Sequence, residues 1–277
     1  VGAVYDTTTY RAPLDLNYGS FSGSLGATYH LNANLLLRAN VASAFRTPNL
    51  AELTSKGQHE LRYEIGDSHL VPEQSLEGDL SLHYHIQNLS IDVAGFYNYI
   101  QNYIFIAPTG NITLDGIGIY QYKQATAYLF GGETGFHFHP KNAKWLCFEG
   151  NYAMVIGKQT NGAYLPFIPA HKIKLEIRIE KEKLGKVINP FVALNNNNTF
   201  AQNRPALDED KTKGYALFDF SLGGQLKIKR QMISIVFSIH NILDTKYMDH
   251  LSTLKEVNMY NPGRNFVLSI KIPFQVK

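Results

Sequence analysis

Histidine and carboxylate side chains recur in the stretches of this sequence that are rich in charge, glycine and proline. The histidines are His59, His69 and His250, and the nearby carboxylates are Glu60, Glu64, Asp67 and Asp249. Imidazole and carboxylate groups are ligands for borderline metal ions. Because their spacing matches no fixed ligand pattern, these residues could equally be solvated loop residues. Metal binding and simple solvation both stay open at this point.

Two arginines in the same stretches are candidates for recognising an anion. The guanidinium groups of Arg46 and Arg62 match the geometry of a carboxylate. The simpler alternative is a salt bridge within the loop to Glu52 or Glu64, since a half-buried arginine needs a partner anyway. The full set of candidate ligand-binding residues is Arg46, His59, Arg62, Tyr63, Glu64, His69 and His250.

Two further histidine pairs have the spacing of a β-strand. His83 and His85, like His137 and His139, are two residues apart, so both rings of a pair point to one face. That geometry could bind a metal, or the rings could simply fill a polar interior. No Ser/His/Asp series, CxxC pair or phosphate-binding glycine loop occurs in a supporting context, so catalysis is not predicted.

Composition narrows the class of protein. The 277 residues carry a net charge of +3 without any basic run, which argues against nucleic-acid binding. Aromatic residues make up 12% and charged residues 18% of the chain. A soluble domain has about 25% charged residues, and the aromatic excess suits a sheet with interfacial aromatic belts. No apolar stretch reaches the length of a membrane helix, so a membrane could be crossed only with strands.

Runs of about ten alternating apolar and polar residues, separated by breaks, extend from Phe21 to the end of the sequence. One run, 170–181, places Ile173, Leu175, Ile177 and Ile179 on one face, predicted to point outward, and Lys174, Glu176 and Arg178 on the other, predicted to point inward. Weaker runs cover 4–11 and 187–200, the second because of Pro190 and four consecutive asparagines. The last run, 265–274, is expected to pair with 231–243. About twelve strands are predicted.

Connections between these runs alternate in length. Short turns follow residues 31, 87, 139, 181 and 228, whereas the long connections span 45–77, 105–118, 158–168, 201–213 and 244–262. An up-and-down meander with short turns at one end and long loops at the other is typical of a bacterial outer-membrane barrel. The predicted fold is therefore an all-β, antiparallel transmembrane barrel. The longest loop has apolar anchors, so we expect it to be ordered over the barrel mouth, with Phe45 and Leu50 tucked inward.

An ordered series of motifs in that loop resembles one family. The series is Phe45-Arg46-Thr47-Pro48, Glu52-Leu53, Glu64-Ile65-Gly66-Asp67, Leu70 and Pro72-Glu73. It is followed near the end by Asn241-Ile242-Leu243-Asp244 with Tyr247, and by Gly263-Arg264-Asn265 before a last run that ends in Phe274. It is similar to the TonB-dependent outer-membrane receptors of Gram-negative bacteria. The resemblance implies twenty-two strands around a plug, with residues 1–277 forming the C-terminal portion of the barrel.

The resemblance also implies a function. Such receptors import a scarce ligand, here an iron–siderophore complex, haem, zinc or cobalamin, with energy from the TonB protein and with no intrinsic cofactor. Their partners are the outer-membrane lipid, TonB and a small-molecule or metal-chelate ligand. Some haem and zinc receptors carry a histidine between the two halves of the central loop, where His59 stands, which makes His59 the predicted metal ligand.

Two other classes of protein are compatible with the alternation. One is a self-contained twelve-stranded outer-membrane barrel: a pore, an autotransporter or a lipid hydrolase. The other is a soluble all-β domain that binds carbohydrate or is structural, in which the apolar faces would point into a closed core. A soluble domain would need no detergent for extraction.

Overall fold

The computed structural model describes residues 15–207, 209–228 and 231–273, without the side chain of Glu256. Over these residues the chain is almost entirely β, with fourteen strands, one short α-helix and one 3-10 helix. The strands are β1 (Gly23–Asn32), β2 (Leu35–Arg46), β3 (Lys56–His59), β4 (Arg62–Ile65), β5 (Glu73–Ile86), β6 (Leu89–Ile112), β7 (Gly118–Phe138), β8 (Leu146–Gln159), β9 (Lys172–Glu180), β10 (Lys183–Leu184), β11 (Val187–Thr199), β12 (Tyr215–Ile228), β13 (Gln231–His240) and β14 (Asn265–Lys271). Within these ranges, no helix is long and apolar enough to cross a membrane.

One antiparallel meander organises the sheet. Its order is β1-β2-β5-β6-β7-β8-β9-β11-β12-β13-β14, and the short strands β3, β4 and β10 lie off this path. The prediction of an up-and-down antiparallel sheet is confirmed, including the pairing of the last strand with β13. Eleven of the twelve predicted strands are present in the described residues, and three short strands that were assigned to connections bring the count to fourteen. The predicted strand 4–11 and Phe274 lie outside the described residues.

The register separates the side chains into two chemically different faces. One row of paired residues crosses nine strands and is apolar throughout: Ile86, Leu89, Phe138, Phe148, Ile177, Leu194, Phe220, Ile239 and Phe266. The row beside it is polar throughout: His85, Ser90, His137, Glu149, Glu176, Asn195 and Asp219. Because side chains alternate along a strand, these rows lie on opposite faces. Ile177 and Glu176 were predicted to lie on opposite faces of their strand, and the two rows show that the same division continues across the neighbouring strands.

The connections are distributed between the two ends much as predicted, with one exception. At one end, which we call the mouth, lie 47–72, 160–171, 200–214 and 241–264. The connection from β6 to β7, predicted as a Gly-rich loop, also lies there but spans only 113–117. It is short because β6 and β7 continue for 24 and 21 residues and project beyond β5, whose pairing with β6 ends at Gln101.

The longest connection has secondary structure that the sequence did not reveal. A helix, α1 (Leu50–Thr54), begins with a capping box in which the Asn49 side chain accepts from the Glu52 N–H and the Glu52 carboxylate accepts from the Asn49 N–H. The hairpin β3–β4 follows, and β4 pairs in parallel with the projecting part of β7. The prediction that this loop is ordered is therefore confirmed, and the loop also contains a helix and a hairpin that the sequence pattern did not indicate.

The weakly predicted strand at 187–200 is also present. Its register shifts between Ile188 and Phe191, and Asn189 in that interval has a φ of 48°. Pro190, which cannot donate to a ladder, thus sits in a bulge, where proline is tolerated. Beyond the bulge, the asparagine run pairs regularly with both β9 and β12.

Candidate ligand-binding mouth

Arg46 fixes the start and the end of the 47–72 loop. Its Nη1 lies 2.9 Å from Glu52 Oε1 in α1, and its Nη2 lies 2.8 Å from Glu73 Oε1 at the start of β5. The Ile104 N–H donates to the same Glu73 carboxylate at 2.6 Å. Both carboxylates are buried. The salt-bridge alternative for Arg46 is confirmed through Glu52, and Glu73 is a partner that sequence reasoning missed.

A small apolar cluster holds the loop against β6 and β7. Leu53 and Leu70 from the loop pack with Ile104 of β6, and Tyr122 of β7 covers them. Gly66 permits this close packing, since a Cβ there would lie 2.6 Å from the Thr54 nitrogen. Phe45 and Leu50 were expected to be tucked inward. Leu50 is 73% exposed and Phe45 is also exposed, so that prediction is wrong.

Arg62 lies where three segments of the mouth meet. Its Nε is 2.7 Å from Glu64 Oε1, and Glu64 also accepts a hydrogen bond from the Tyr122 hydroxyl at 3.1 Å. The guanidinium stands 5.6 Å from the centre of the Tyr120 ring and 5.7 Å from that of Phe167, which comes from the 160–171 loop. These distances are within the range of cation–π attraction. The salt-bridge alternative is therefore confirmed for Arg62 as well, through Glu64, and this paired cation lies close to two aromatic rings.

The three loop histidines have different environments. His59 is largely exposed at the tip of the β3–β4 hairpin, with Nδ1 3.8 Å from Glu64 Oε1. The His69 side chain is 92% exposed and lies 3.1 Å from Asp67. Tyr63 is half-buried in β4, opposite Ile119. The hairpin thus brings His59, Arg62, Tyr63 and Glu64 together, whereas His69 lies apart from them in sequence and structure beyond Asp67.

His250 is buried, with only 3% of its surface exposed. Its Nδ1 lies 3.1 Å from the Thr212 hydroxyl and its Nε2 lies 3.1 Å from Glu209 Oε1. Burial opposes ionisation of Glu209, but hydrogen bonds from His250 and the Ala206 N–H outweigh it and hold the pKa of Glu209 below its ordinary value. His250 therefore connects two mouth loops and does not face solvent.

A second carboxylate fixes the 241–264 loop to the sheet. Asp249 accepts a hydrogen bond from the Tyr215 hydroxyl at 2.6 Å and lies 3.3 Å from Lys172 Nζ. Burial opposes its ionisation, but these contacts and the Leu251 N–H keep the pKa of Asp249 below its ordinary value. Asp249 was noted in the sequence only as a neighbour of His250. Its structural role could not be found there because its partners start β9 and β12.

Below the mouth, the polar face encloses a groove of about 530 Å³. Its charged lining residues are Glu77, Asp79, Glu133 and Lys172, and Phe96 and Val155 add apolar surface. Sequence reasoning did not single out these side chains, because they come from five different strands.

Solved structures with the same fold are receptors and transporters. The copper transporter OprC superposes with a TM-score of 0.73 at 20% identity, covering 90% of this chain and 38% of OprC. The ferric enterobactin receptor PfeA from Pseudomonas aeruginosa gives 0.63 at 19% identity, covering 90% and 39%. The siderophore receptor PirA from Acinetobacter baumannii gives 0.61 at 18%, covering 90% and 40%. The chain thus spans about two-fifths of the length of these proteins.

A comparison with protein families gives the same assignment as the motif series of the mouth loop and the antiparallel meander. The family described as "TonB dependent receptor-like, beta-barrel" matches residues 1–242. Its members are receptors and transporters of the Gram-negative outer membrane. The fold, the motif series and this match agree, so the chain belongs to the TonB-dependent receptor family and contributes strands of the barrel.

Proposed function

We propose that residues 1–277 form the C-terminal portion of the barrel of a receptor that imports a scarce metal chelate across a Gram-negative outer membrane, with energy from TonB. The observation that carries the proposal is the collection of long connections at one end of the meander. Those connections are held in place by the Arg46, Glu209 and Asp249 contacts. A plug and further strands would come from other parts of the protein.

The chemistry of the mouth favours an anionic ligand with aromatic character. Arg62 presents a positive charge between Tyr120 and Phe167, and such a site attracts carboxylate or catecholate groups and stacks on planar rings. Ferric siderophores have this chemistry, and two of the superposed structures are described as a ferric enterobactin receptor and a siderophore receptor. The exposed imidazole of His59, which is paired with Arg62 in the hairpin, would face the same ligand.

Arg46 has a different role in this proposal. Two carboxylates already bond to all three nitrogens of its guanidinium, whereas Glu64 bonds only to the Nε of Arg62. Arg46 therefore shapes the loop, and the Nη atoms of Arg62 make the ligand contact. Haem, zinc and cobalamin remain alternative cargoes with different requirements. Haem or zinc would need a direct ligand such as His59, whereas an anionic chelate needs Arg62.

Uptake by cells tests this proposal. The natural full-length receptor is expressed in a strain that lacks its own siderophore receptors, and uptake of radiolabelled ferric catecholate, ferric hydroxamate and haem is compared with and without TonB. We expect TonB-dependent uptake of a ferric siderophore that falls at least about tenfold in Arg62→Ala. Uptake without TonB, or uptake of haem that depends on His59 and not on Arg62, would overturn the proposal.

A further inference from the structure

Three metal-binding side chains converge on the polar face at the end opposite the mouth. His137 lies at the end of β7, His139 begins the following turn, and Cys147 is the second residue of β8. One ligand atom from each lies within 4.8 Å of the others. The Cys147 sulfur is 3.2 Å from His137 Nε2. Since metal–sulfur and metal–nitrogen bonds are about 2.3 and 2.0 Å long, small side-chain rotations would place all three around one ion.

The hydrogen bond that His139 makes leaves its Nε2 atom available to bind a metal ion. Its Nδ1 lies 3.1 Å from the Leu146 carbonyl oxygen. A carbonyl only accepts, so Nδ1 carries the proton and Nε2 keeps its lone pair. Imidazoles that bind metals almost always donate their other N–H to a carbonyl or carboxylate in this way. The tautomer of His139 is therefore that of a metal ligand that binds through Nε2.

A fourth group lies next to this cluster. Glu149 Oε1 is 3.1 Å from His137 Nε2 and 3.8 Å from the Cys147 sulfur. Cys147 itself is buried, but the side chains of His137 and Glu149 are about half exposed, which leaves a path from the polar face. The carboxylate can accept the thiol proton when the sulfur binds an ion and can then complete the coordination.

The other histidine cluster on this face provides a contrast. His83 Nδ1 and His85 Nε2 both lie near one oxygen of Asp92, at 2.6 and 3.1 Å, and His83 Nε2 lies 2.9 Å from the Ser81 hydroxyl. Both nitrogens of His83 are occupied by these contacts. The cluster contains no sulfur and is an ordinary hydrogen-bond network.

We propose that His137 Nε2, His139 Nε2 and the Cys147 thiolate bind one soft or borderline transition-metal ion, Zn(II) or Cu(I), with Glu149 as the nearby carboxylate. Thiolate and imidazole together select such ions over Mg(II) or Ca(II). On binding, the S–H bond breaks, the metal–sulfur bond forms, and the proton leaves through Glu149 to solvent. The inference needs only the β7–β8 pairing and is independent of the cargo imported at the mouth.

Titration with metal alone tests this site. The full-length receptor is purified in detergent, stripped with a chelator, kept reduced, and titrated with Co(II), then with Zn(II) and anaerobic Cu(I) against competing chelators. We expect one equivalent of Co(II) to give a thiolate-to-metal charge-transfer absorption. Cys147→Ser should abolish that band, and His139→Gln should weaken Zn(II) binding at least about tenfold.

Matched variants decide between the two histidine clusters. His83→Gln and His85→Gln should leave the charge-transfer band and the Zn(II) affinity unchanged, because they belong to the hydrogen-bond network. Heat modifiability on a gel confirms that every variant is folded. Cys147→Ser replaces only the side-chain sulfur with an oxygen, so it removes the thiolate with little change in shape. No charge-transfer band in the natural protein, unchanged affinity in folded Cys147→Ser, or equal losses in His83→Gln and His139→Gln would each overturn the proposal.

Discussion

Leu194 and Asn195 are consecutive residues of β11, yet the side chains beside them across the sheet are chemically opposite. Leu194 is paired with Ile177 and Phe220, whereas Asn195 is paired with Glu176 and Asp219. In an outer-membrane barrel the first environment is lipid and the second is the interior. A charged residue can therefore be introduced on the lipid side by substituting Leu194, or on the interior side by substituting the next residue, Asn195.

Lysine at position 194 should disrupt assembly, and lysine at 195 should not. A lysine on the lipid side near the middle of a bilayer costs about 2–4 kcal/mol, whereas Asn195→Lys would place the ammonium beside Glu176 and Asp219. We expect the full-length Leu194→Lys receptor to show a clearly reduced heat-modifiable fraction in outer-membrane preparations, with Asn195→Lys at the natural level. Equal yields of the two variants would show that the apolar face does not contact lipid.

Gly66→Ala should detach the β3–β4 hairpin from α1. Its Cβ would lie 2.6–2.7 Å from backbone atoms of Leu53, Thr54 and Ser55, which cannot move aside singly. Gly57→Ala in the same hairpin is the control, because its Cβ would meet nothing within 4 Å. Limited proteolysis of the folded receptor should cut 47–72 much faster in Gly66→Ala only. Similar cleavage of both variants would contradict the packing described here.

Arg46→Ala should loosen the same loop by a different mechanism. It leaves the buried carboxylates of Glu52 and Glu73 without their cationic partner, at a cost of about 1–3 kcal/mol. Arg46→Lys should recover only part of this, because an ammonium cannot make two bidentate contacts. Hydrogen exchange of the α1 and β5 amides measures the effect. Full protection in Arg46→Ala would show that the ion pairs do not hold the loop.

The contact between the 200–214 and 241–264 loops should weaken in acid. Because the folded pKa of Glu209 lies below its ordinary value of 4.5, its ionised form stabilises the folded loops above that pH, and the contribution is lost as pH falls through the folded pKa. Hydrogen exchange around Thr212 and His250 should therefore accelerate in that window. In Glu209→Gln the acceleration should be smaller, with Asp249 accounting for the remainder, while exposed Glu182→Gln should behave as the natural protein.

The present chain expressed alone should not form a stable barrel. In the described residues, β1 and β14 lie at the two ends of the strand order and are not paired with each other. Unpaired strand edges in lipid leave backbone amides and carbonyls unsatisfied. After refolding in detergent, residues 1–277 should show no heat-modifiable monomer on a gel. A stable, heat-modifiable monomer would instead support a self-contained barrel.

The faces of the sheet could be predicted because they depend on a period of two that most of the long strands repeat. Ile173, Leu175 and Ile177 alternate with charged residues whatever their neighbours are, so the pattern survives without knowledge of pairing. In β11 a bulge absorbs Pro190, which cannot donate, and Leu194 keeps to the apolar face. The asparagine run departs from the pattern, because Asn196 and Asn198 lie on that same face.

The mouth could not be predicted in the same way because its structure depends on distant partners. The residues of β3 and β4 have little alternation, and they are held by pairing with β7. His250 is buried only because Glu209 and Thr212 come from another loop. The sequence could indicate which residue types gather at this end. It could not indicate which of these residues would form ion pairs or hydrogen bonds with one another.

The parallel pairing of β4 with β7 determines the order in which the receptor can mature. The hairpin precedes β5 and β6 in the chain, yet its docking surface is Ile119–Gln121, which exists only after both strands and β7 have joined the sheet. Contacts between residues far apart in sequence form late, because the intervening chain must close first. The hairpin can therefore dock only after β5, β6 and β7 have formed, so a receptor whose β7 has not yet joined the sheet cannot present the Arg62 surface to a ligand.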